Sequence, residues 1–245
     1  MKENRYDDEV FFNRYGEMKR SMEGLEGAGE WHVLKGMLPD LAGSRVLDLG
    51  CGFGWHCAYA AEHGASKVLG VDISEKMIAV ARERNNYQAV SYQCLAIEDY
   101  GYPADSFDVV LSSLAFHYLE SFEDISSKVY RTLFPGGVFV FSVEHPVFTA
   151  EGSQQWVEDG CGGKLCWPVD NYFREGRRSP HFLGVEVAKY HKTLTTYLNG
   201  LLRQGFMITG VEEPQPDPSM LDEVPEMRDE LRRPMMLIVS AVKPI

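Results

Sequence analysis

The chain has 245 residues, and its 24 Lys and Arg against 36 Asp and Glu leave a formal net charge of −12. That length suits one large α/β domain, or one domain carrying an insertion. The acidic balance argues against a nucleic-acid partner, whose phosphates call for a basic face.

The first residues, Met1-Lys2-Glu3-Asn4-Arg5-Tyr6-Asp7-Asp8, are polar and acidic and lack the apolar core of a secretory signal. No apolar run reaches the roughly 18 residues that a membrane helix needs. Five cysteines, an odd number, suggest reduced thiols. A cytoplasmic protein without a membrane partner is expected. Cys161 and Cys166 frame a C-x4-C, but no second Cys or His pair stands close by. No metal site is expected.

Residues 1 to about 30 read as an N-terminal arm carrying Tyr6, Phe11, Phe12 and Tyr15. Trp31, Leu34 and Leu38 recur at helical spacing and predict a helix that stops before Pro39. Arg45-Val46-Leu47-Asp48-Leu49-Gly50 is a short buried strand running into glycines. Trp55 to His63 reads as a helix with Gly64 as its left-handed cap. Val68 to Asp72 is a second strand, and Ser74 caps a helix reaching Asn85. Val90 to Cys94 and the apolar run Phe107 to Ser113 are the third and fourth strands. Ile125, Val129 and Leu133 share one helix face, and Pro135-Gly136-Gly137 breaks that helix before a fifth strand, Val138 to Glu144. Thr193 to Gln204 reads as a helix, and Phe206 to Val211 and Met235 to Val242 as two final strands. This alternation predicts a parallel sheet with helices on both faces. The whole chain, 1–245, is expected to be one such domain, with 1–40 forming the arm and first helix. Residues 147–190 break the pattern. They are rich in glycine but also hold Trp156, Trp167, Tyr172 and Phe173, so a cap over a binding site is expected rather than disorder.

The chemistry centres on Val46-Leu47-Asp48-Leu49-Gly50-Cys51-Gly52-Phe53-Gly54. A strand ending in a glycine turn before a helix places a ligand at the strand's carboxyl end. Asp72 closes the second strand, where a carboxylate can accept both hydroxyls of a ribose. Dinucleotide folds carry G-x-G-x-x-G, with a helix N-terminus facing a pyrophosphate. Here the spacing is G-x-G-x-G with Asp48 two residues ahead, and an acid there suits a cationic ligand better than a diphosphate.

With these residues the sequence resembles the class I methyltransferases that use S-adenosylmethionine, most closely the subgroup that includes quinone-biosynthesis enzymes. The likeness covers roughly residues 45–146. It extends to Ser112-Ser113-Leu114-Ala115-Phe116-His117-Tyr118-Leu119, which resembles the donor-site loop after strand four. It also includes Arg131-Thr132-Leu133-Phe134-Pro135-Gly136-Gly137, which resembles the family's R-x-L-x-P-G-G turn. The resemblance implies a doubly wound, Rossmann-like, seven-stranded and mostly parallel sheet with an antiparallel last strand. It implies that Asp48, Gly50, Cys51, Gly52 and Gly54 form the donor loop, that Asp72 binds the ribose and that Ile73 packs on the adenine. Leu114 would lie near the donor, and Tyr15 would close over it from the arm. The family's adenine-binding aspartate falls at Ala96. Ile97 can offer a backbone N–H there; Glu98 or Asp99 can compensate for the lost side chain, or packing alone can hold the adenine.

Methyl transfer is an in-line displacement in which alignment does much of the work. Some acceptors also need a base, and histidine suits that role. His117, His145 and His191 are the catalytic candidates. The alternative for each is a hydrogen-bonded structural residue. Glu144 can orient His145, bind substrate or be solvated. Trp156, Trp167 and Tyr172 line an aromatic pocket or form the insertion's own core. Arg177-Arg178 can meet an anionic substrate or water. The expected reaction is methylation of a small molecule, yielding S-adenosylhomocysteine. A non-catalytic S-adenosylmethionine-binding protein and an NAD(P)-dependent oxidoreductase are the alternatives.

Overall fold

The structure, a computed structural model, describes residues 4–223 and 225–245. Its centre is a seven-stranded sheet. Five strands come first along the chain: β1 (Arg45–Leu49), β2 (Lys67–Asp72), β3 (Val90–Cys94), β4 (Phe107–Ser113) and β5 (Leu133–Glu144). Six short strands follow in the insertion: β6 (Val157–Glu158), β7 (Lys164–Cys166), β8 (Gly176–Arg178), β9 (His181–Phe182), β10 (Val185–Glu186) and β11 (Lys189–His191). The sheet is completed by β12 (Met207–Glu212) and β13 (Met236–Val242). Its order is β3-β2-β1-β4-β5-β13-β12. Strands β1 to β5 run parallel, and β13 runs antiparallel to both β5 and β12. The expected antiparallel last strand is β13, which lies between β5 and β12.

The helices are α1 (Glu9–Gly16), α2 (Lys19–Met22), α3 (Trp31–Met37), α4 (Trp55–Glu62), α5 (Glu75–Arg84), α6 (Phe122–Thr132), α7 (Pro146–Thr149), α8 (Leu194–Gln204) and α9 (Pro218–Glu223). Three of them start on a hydroxyl. Ser74, Ser121 and Thr193 accept from the backbone N–H groups of Met77, Asp124 and Thr196 at 3.1–3.2 Å. Such a cap stabilises a helix by about 1 kcal/mol. Phe122, Ile125 and Val129 of α6 bury one face together with Tyr197 and Leu201 of α8, over Phe139 and Phe141 of β5. Trp31 and Leu34 of α3 cover Leu111, Val140 and Ile238 on the other side.

One boundary differs from expectation. The Pro135-Gly136-Gly137 turn lies inside β5, not ahead of it. Leu133 pairs with Phe107, the register then shifts, and Val138 pairs with Val109. Gly136 takes φ +84°, so the turn is absorbed as an irregularity of the strand.

The order of the strands reverses between β1 and β4, which opens a crevice at their carboxyl ends. Residues 147–190 lie next to it and consist of α7 and three antiparallel strand pairs, β6–β7, β8–β11 and β9–β10. The aromatic residues of this segment pack on one another. Phe148 stacks on Trp167 at 4.9 Å, and Trp156 meets Trp167 edge-on at 5.2 Å. Arg233 lies over the same rings, 4.1 Å from Trp167. Of the two roles weighed for Trp156 and Trp167, the structure shows the segment's own core.

Candidate active site

The glycine turn follows from the backbone it must make. Gly50 has φ +77°, and a Cβ there would collide with that of Ala115. Gly54 has φ +76°, and a Cβ would strike the Tyr92 hydroxyl. Only glycine meets both demands. The turn is held by Gly50 N–H and Cys51 N–H donating to Val71 O at 2.7 and 3.1 Å. Asp72 completes it. Its Oδ2 accepts from Gly52 N–H at 2.8 Å and its Oδ1 from Ser74 N–H at 2.9 Å. Burial pushes the Asp72 carboxyl up, against the lowering effect of these N–H groups. Each oxygen keeps a lone pair for a further donor.

A cavity of ≈ 630 Å³ lies over this turn, within the size range of small-molecule sites. One wall holds Asp72, Ile73, Met77, Ala96, Ile97 and Glu98. The opposite end holds His117, Tyr118, Glu144, Phe182, Lys189 and Met236. Leu114 sits between them with φ +53°, an uncommon conformation for leucine. Two bonds hold it there, from Leu114 N–H to Ser142 O and to Ser142 Oγ, at 2.9 and 3.1 Å.

The N-terminal arm closes the near side. Asp7 accepts from the Ser74 hydroxyl at 2.6 Å and from Lys76 N–H at 3.2 Å, so it sits on the start of α5. Asn4 donates to Ile73 O at 3.4 Å. The Tyr6 and Tyr118 hydroxyls meet at 3.0 Å, and the Tyr15 ring lies against Tyr6 and Phe53. Arg20 reaches the cavity while its Nη2 donates to Glu30 Oε1 at 2.9 Å. Burial opposes ionisation of Glu30, and the Arg20 guanidinium outweighs it, so the carboxyl stays below its usual range.

The structure brings nine of the expected site residues to the cavity: Tyr15, Gly50, Gly52, Asp72, Ile73, Ala96, Ile97, Leu114 and His117. Glu98 joins Ala96 there, whereas Asp99 does not line it. The remaining five do not line it. Gly54 shapes the turn from outside, and Cys51 lies behind it. Asp48 is 1% exposed beneath the turn, where Cys57 Sγ donates to its Oδ2 at 3.3 Å and its Oδ1 has no partner. Burial pushes its pKa up to about 7. A carboxyl so placed is no open seat for a cation.

His145 and His191 also lie outside the cavity lining. His145 Nδ1 accepts from Val147 N–H at 3.0 Å and caps α7. Its Nε2 lies 2.8 Å from Glu213 Oε1 but is not aligned as a hydrogen bond. His191 is fully buried, with Nε2 donating to Tyr172 O at 2.8 Å. Its Nδ1 is then the acceptor of the Thr149 hydroxyl at 2.7 Å. The His191 ring ties Thr149 of α7 to Tyr172.

His117 behaves differently. Its Nδ1 accepts from Glu144 N–H at 3.4 Å, which leaves the proton on Nε2. Burial pushes its pKa down to about 3. Beside it, Glu144 accepts from Lys189 Nζ and, at 2.7 Å, from Gln154 Nε2. Burial opposes ionisation of Glu144, but the Lys189 ammonium and the Gln154 amide outweigh it, so the carboxyl stays below its usual range. Lys189, Gln154, Arg20 and Glu30 carried no signal in the sequence, because their partners lie ten to 45 residues away at no helical or strand spacing.

Residues 47–141 match the family profile described as a methyltransferase domain. The crystal structure of an S-adenosylmethionine-dependent methyltransferase from Mesorhizobium loti is 47% identical, with a TM-score of 0.82. The match covers 89% of this chain and all of that one. A Listeria monocytogenes structure, provisionally named for the same enzyme class, is 58% identical at TM-score 0.86 and covers 91% of this chain and 100% of its own. The chain belongs to the S-adenosylmethionine-dependent methyltransferases. A curated Haemophilus influenzae protein without a described function is 33% identical over 97% of this chain and 96% of its own length. The methyltransferase takes S-adenosylmethionine as its methyl donor, and the residues present fit that ligand. Asp72 offers lone pairs beside a side-chain-free turn, and Ile73, Met77 and Ile97 offer an apolar slot next to it.

Proposed function

We propose that the enzyme methylates a small molecule, held between the donor wall and the 147–190 segment. The observation that carries this is the single cavity joining Asp72 to His117, Glu144 and Lys189, with Phe182 and Lys189 contributed by the insertion. A cavity closed by an arm on one side and an insertion on the other suits a small acceptor better than a polymer.

When bound, the donor supplies an electrophilic methyl group on a sulfonium. Asp72 holds the ribose hydroxyls, and the glycine turn lets the backbone approach the ligand. Ile73, Ala96 and Ile97 would pack on the adenine, and Glu98, which lines the same wall, would offer it a polar side chain. Tyr15 and Leu114 shape the space near the transferred group. His117 presents a neutral Nε2–H to the acceptor. A ring with a pKa of about 3 is a poor general base. The Tyr6–Tyr118 hydroxyl pair shares one proton internally and has one more to donate. Two donors at one end of the cavity favour an oxygen acceptor. Relatives such as the Bacillus cereus malonyl-[acyl-carrier protein] O-methyltransferase, 26% identical over 77% of this chain, agree with that choice. Alignment then supplies most of the acceleration.

The test is label transfer. The enzyme and a methyl-labelled donor are incubated with a cell extract divided into low-molecular-weight, protein and nucleic-acid fractions. Label in the small-molecule fraction, as an O-methyl product, supports the proposal. Label confined to protein or nucleic acid refutes it.

A further inference from the structure

The end of the cavity away from Asp72 presents donors. His117 is 3% exposed, and its Nε2–H has no partner among the described residues. Its ring lies 4.4 Å from that of Tyr118, whose hydroxyl meets that of Tyr6 at 3.0 Å. One proton of the two hydroxyls lies between them, and the other is left to donate. The charges that act on the His117 ring are one carboxylate, Glu144, and three cations, Lys189, Lys192 and Arg20. The Glu144 carboxylate is occupied, with Oε1 accepting from Lys189 Nζ and Oε2 from Gln154 Nε2. The same groups offer no seat for a proton. His117 Nδ1 already accepts from Glu144 N–H, and burial raises the Tyr6 and Tyr118 phenols, which therefore keep their protons. Of the other carboxylates lining the cavity, Asp72 and Glu98 stand on the donor wall and Glu120 at the exposed rim. An alcohol, a phenol or an ammonium must give up a proton to be methylated. A carboxylate is ionised at neutral pH and has none to give.

We propose that the acceptor is a small carboxylic acid, bound as its carboxylate by His117 Nε2–H and the Tyr6–Tyr118 hydroxyl pair and converted to its methyl ester. The proposal deepens the small-molecule reading above and rests on it. Two neighbouring donors match the two oxygens of a carboxylate, and each oxygen keeps a lone pair beyond the bond it accepts. One of these lone pairs forms the new bond to the methyl carbon. The carbon–sulfur bond breaks, and its electron pair stays on sulfur. Carboxylate and sulfonium lose their charges together, which leaves a neutral ester and a neutral thioether. No proton is released, so the reaction asks nothing of His117 beyond donation.

The chemistry of the product tests this. The small-molecule fraction of a cell extract, labelled by the enzyme and freed of donor, is treated with mild alkali. A methyl ester is saponified and its label leaves as volatile methanol, whereas methyl ethers, N-methyl and C-methyl groups survive. Volatile label is the expected result. Label that survives alkali would overturn the carboxylate assignment and leave small-molecule methylation standing. Absence of label from the small-molecule fraction would overturn both. With the labelled compound purified as acceptor, turnover in weak buffer should release no proton. Release of about one proton per methyl, as a hydroxyl or amine N–H demands, would again exclude a carboxylate. His117→Phe should raise KM for that acid at least about tenfold, the effect of a charge-assisted hydrogen bond, while His117→Gln, which keeps an N–H, stays within about threefold of wild type. An unchanged KM in His117→Phe would remove His117 from the seat.

Discussion

His117 illustrates how a side chain's neighbours decide its chemistry. From its position in the loop after β4 it was a candidate base. In the fold, its Nδ1 is taken by Glu144 N–H and burial keeps the ring neutral, so it is a donor. His117→Phe should therefore leave S-adenosylhomocysteine affinity within about twofold while lowering kcat/KM for an O-acceptor roughly ten- to a hundredfold. The wild-type pH–rate profile should show no limb from this ring between pH 5 and 8. A limb near pH 6.5 that vanishes in His117→Phe would defeat the donor role. The Gly50–Gly54 turn and Asp72 could be read from the chain because they are local, a few residues on either side of a strand end. Arg20 and Glu30 could not, since Arg20 gains meaning only when the arm folds back over Ser113, 83 residues beyond Glu30. Asp48 was legible as a marker of the turn but not as a contact, because whether it points up or down is set by the packing around Cys57.

Helix α5 and strands β3 and β4 were legible almost to the residue, since the cap of α5 and the runs of the two strands are written locally, whereas Leu133, read on the face of α6, opens β5 instead. The internal arrangement of residues 147–190 was not legible. Its strands are two or three residues long, too short for any alternation to show. Part of the segment's order comes instead from Arg233, which lies beyond α8 and β12 in the chain. Its guanidinium sits over Phe148, Trp156 and Trp167 at 4.6, 5.4 and 4.1 Å, with Glu230 as its ion partner. Met235 and Met236, just after it, line the cavity. Arg233→Ala removes the cation from this aromatic cluster. Tryptophan emission should shift to the red and thermolysin should cut within 147–190 several times faster, while affinity for S-adenosylhomocysteine stays unchanged. Loss of that affinity in parallel with faster cutting would mean that the cluster supports the donor site rather than the insertion.

At the scale of the whole molecule, buried titratable groups pull stability in opposite directions. Burial lowers the pKa of His56 to about 4 and of His117 to about 3, and it lowers His145 and His191 too. Below the unfolded value of about 6.5 the unfolded chain takes up protons that the folded rings refuse, so acid destabilises the fold. Asp48 works the other way. Its folded pKa of about 7 lies above the ordinary carboxyl value of 3.8. Between those limits the folded state holds a proton that the unfolded state has lost. The stability linked to Asp48 is therefore present at low pH and lost as the pH rises through about 7. Asp48→Asn removes that linkage and leaves the histidines untouched. Its melting temperature, measured against wild type at pH 5.5 and 8.5, should improve relative to wild type at the higher pH, even if the unpartnered amide makes it less stable at both. A difference that is the same at the two pH values would mean that Asp48 stays ionised beneath the glycine turn. Its orphaned Oδ1 would then carry a charge that the fold has left unpaired.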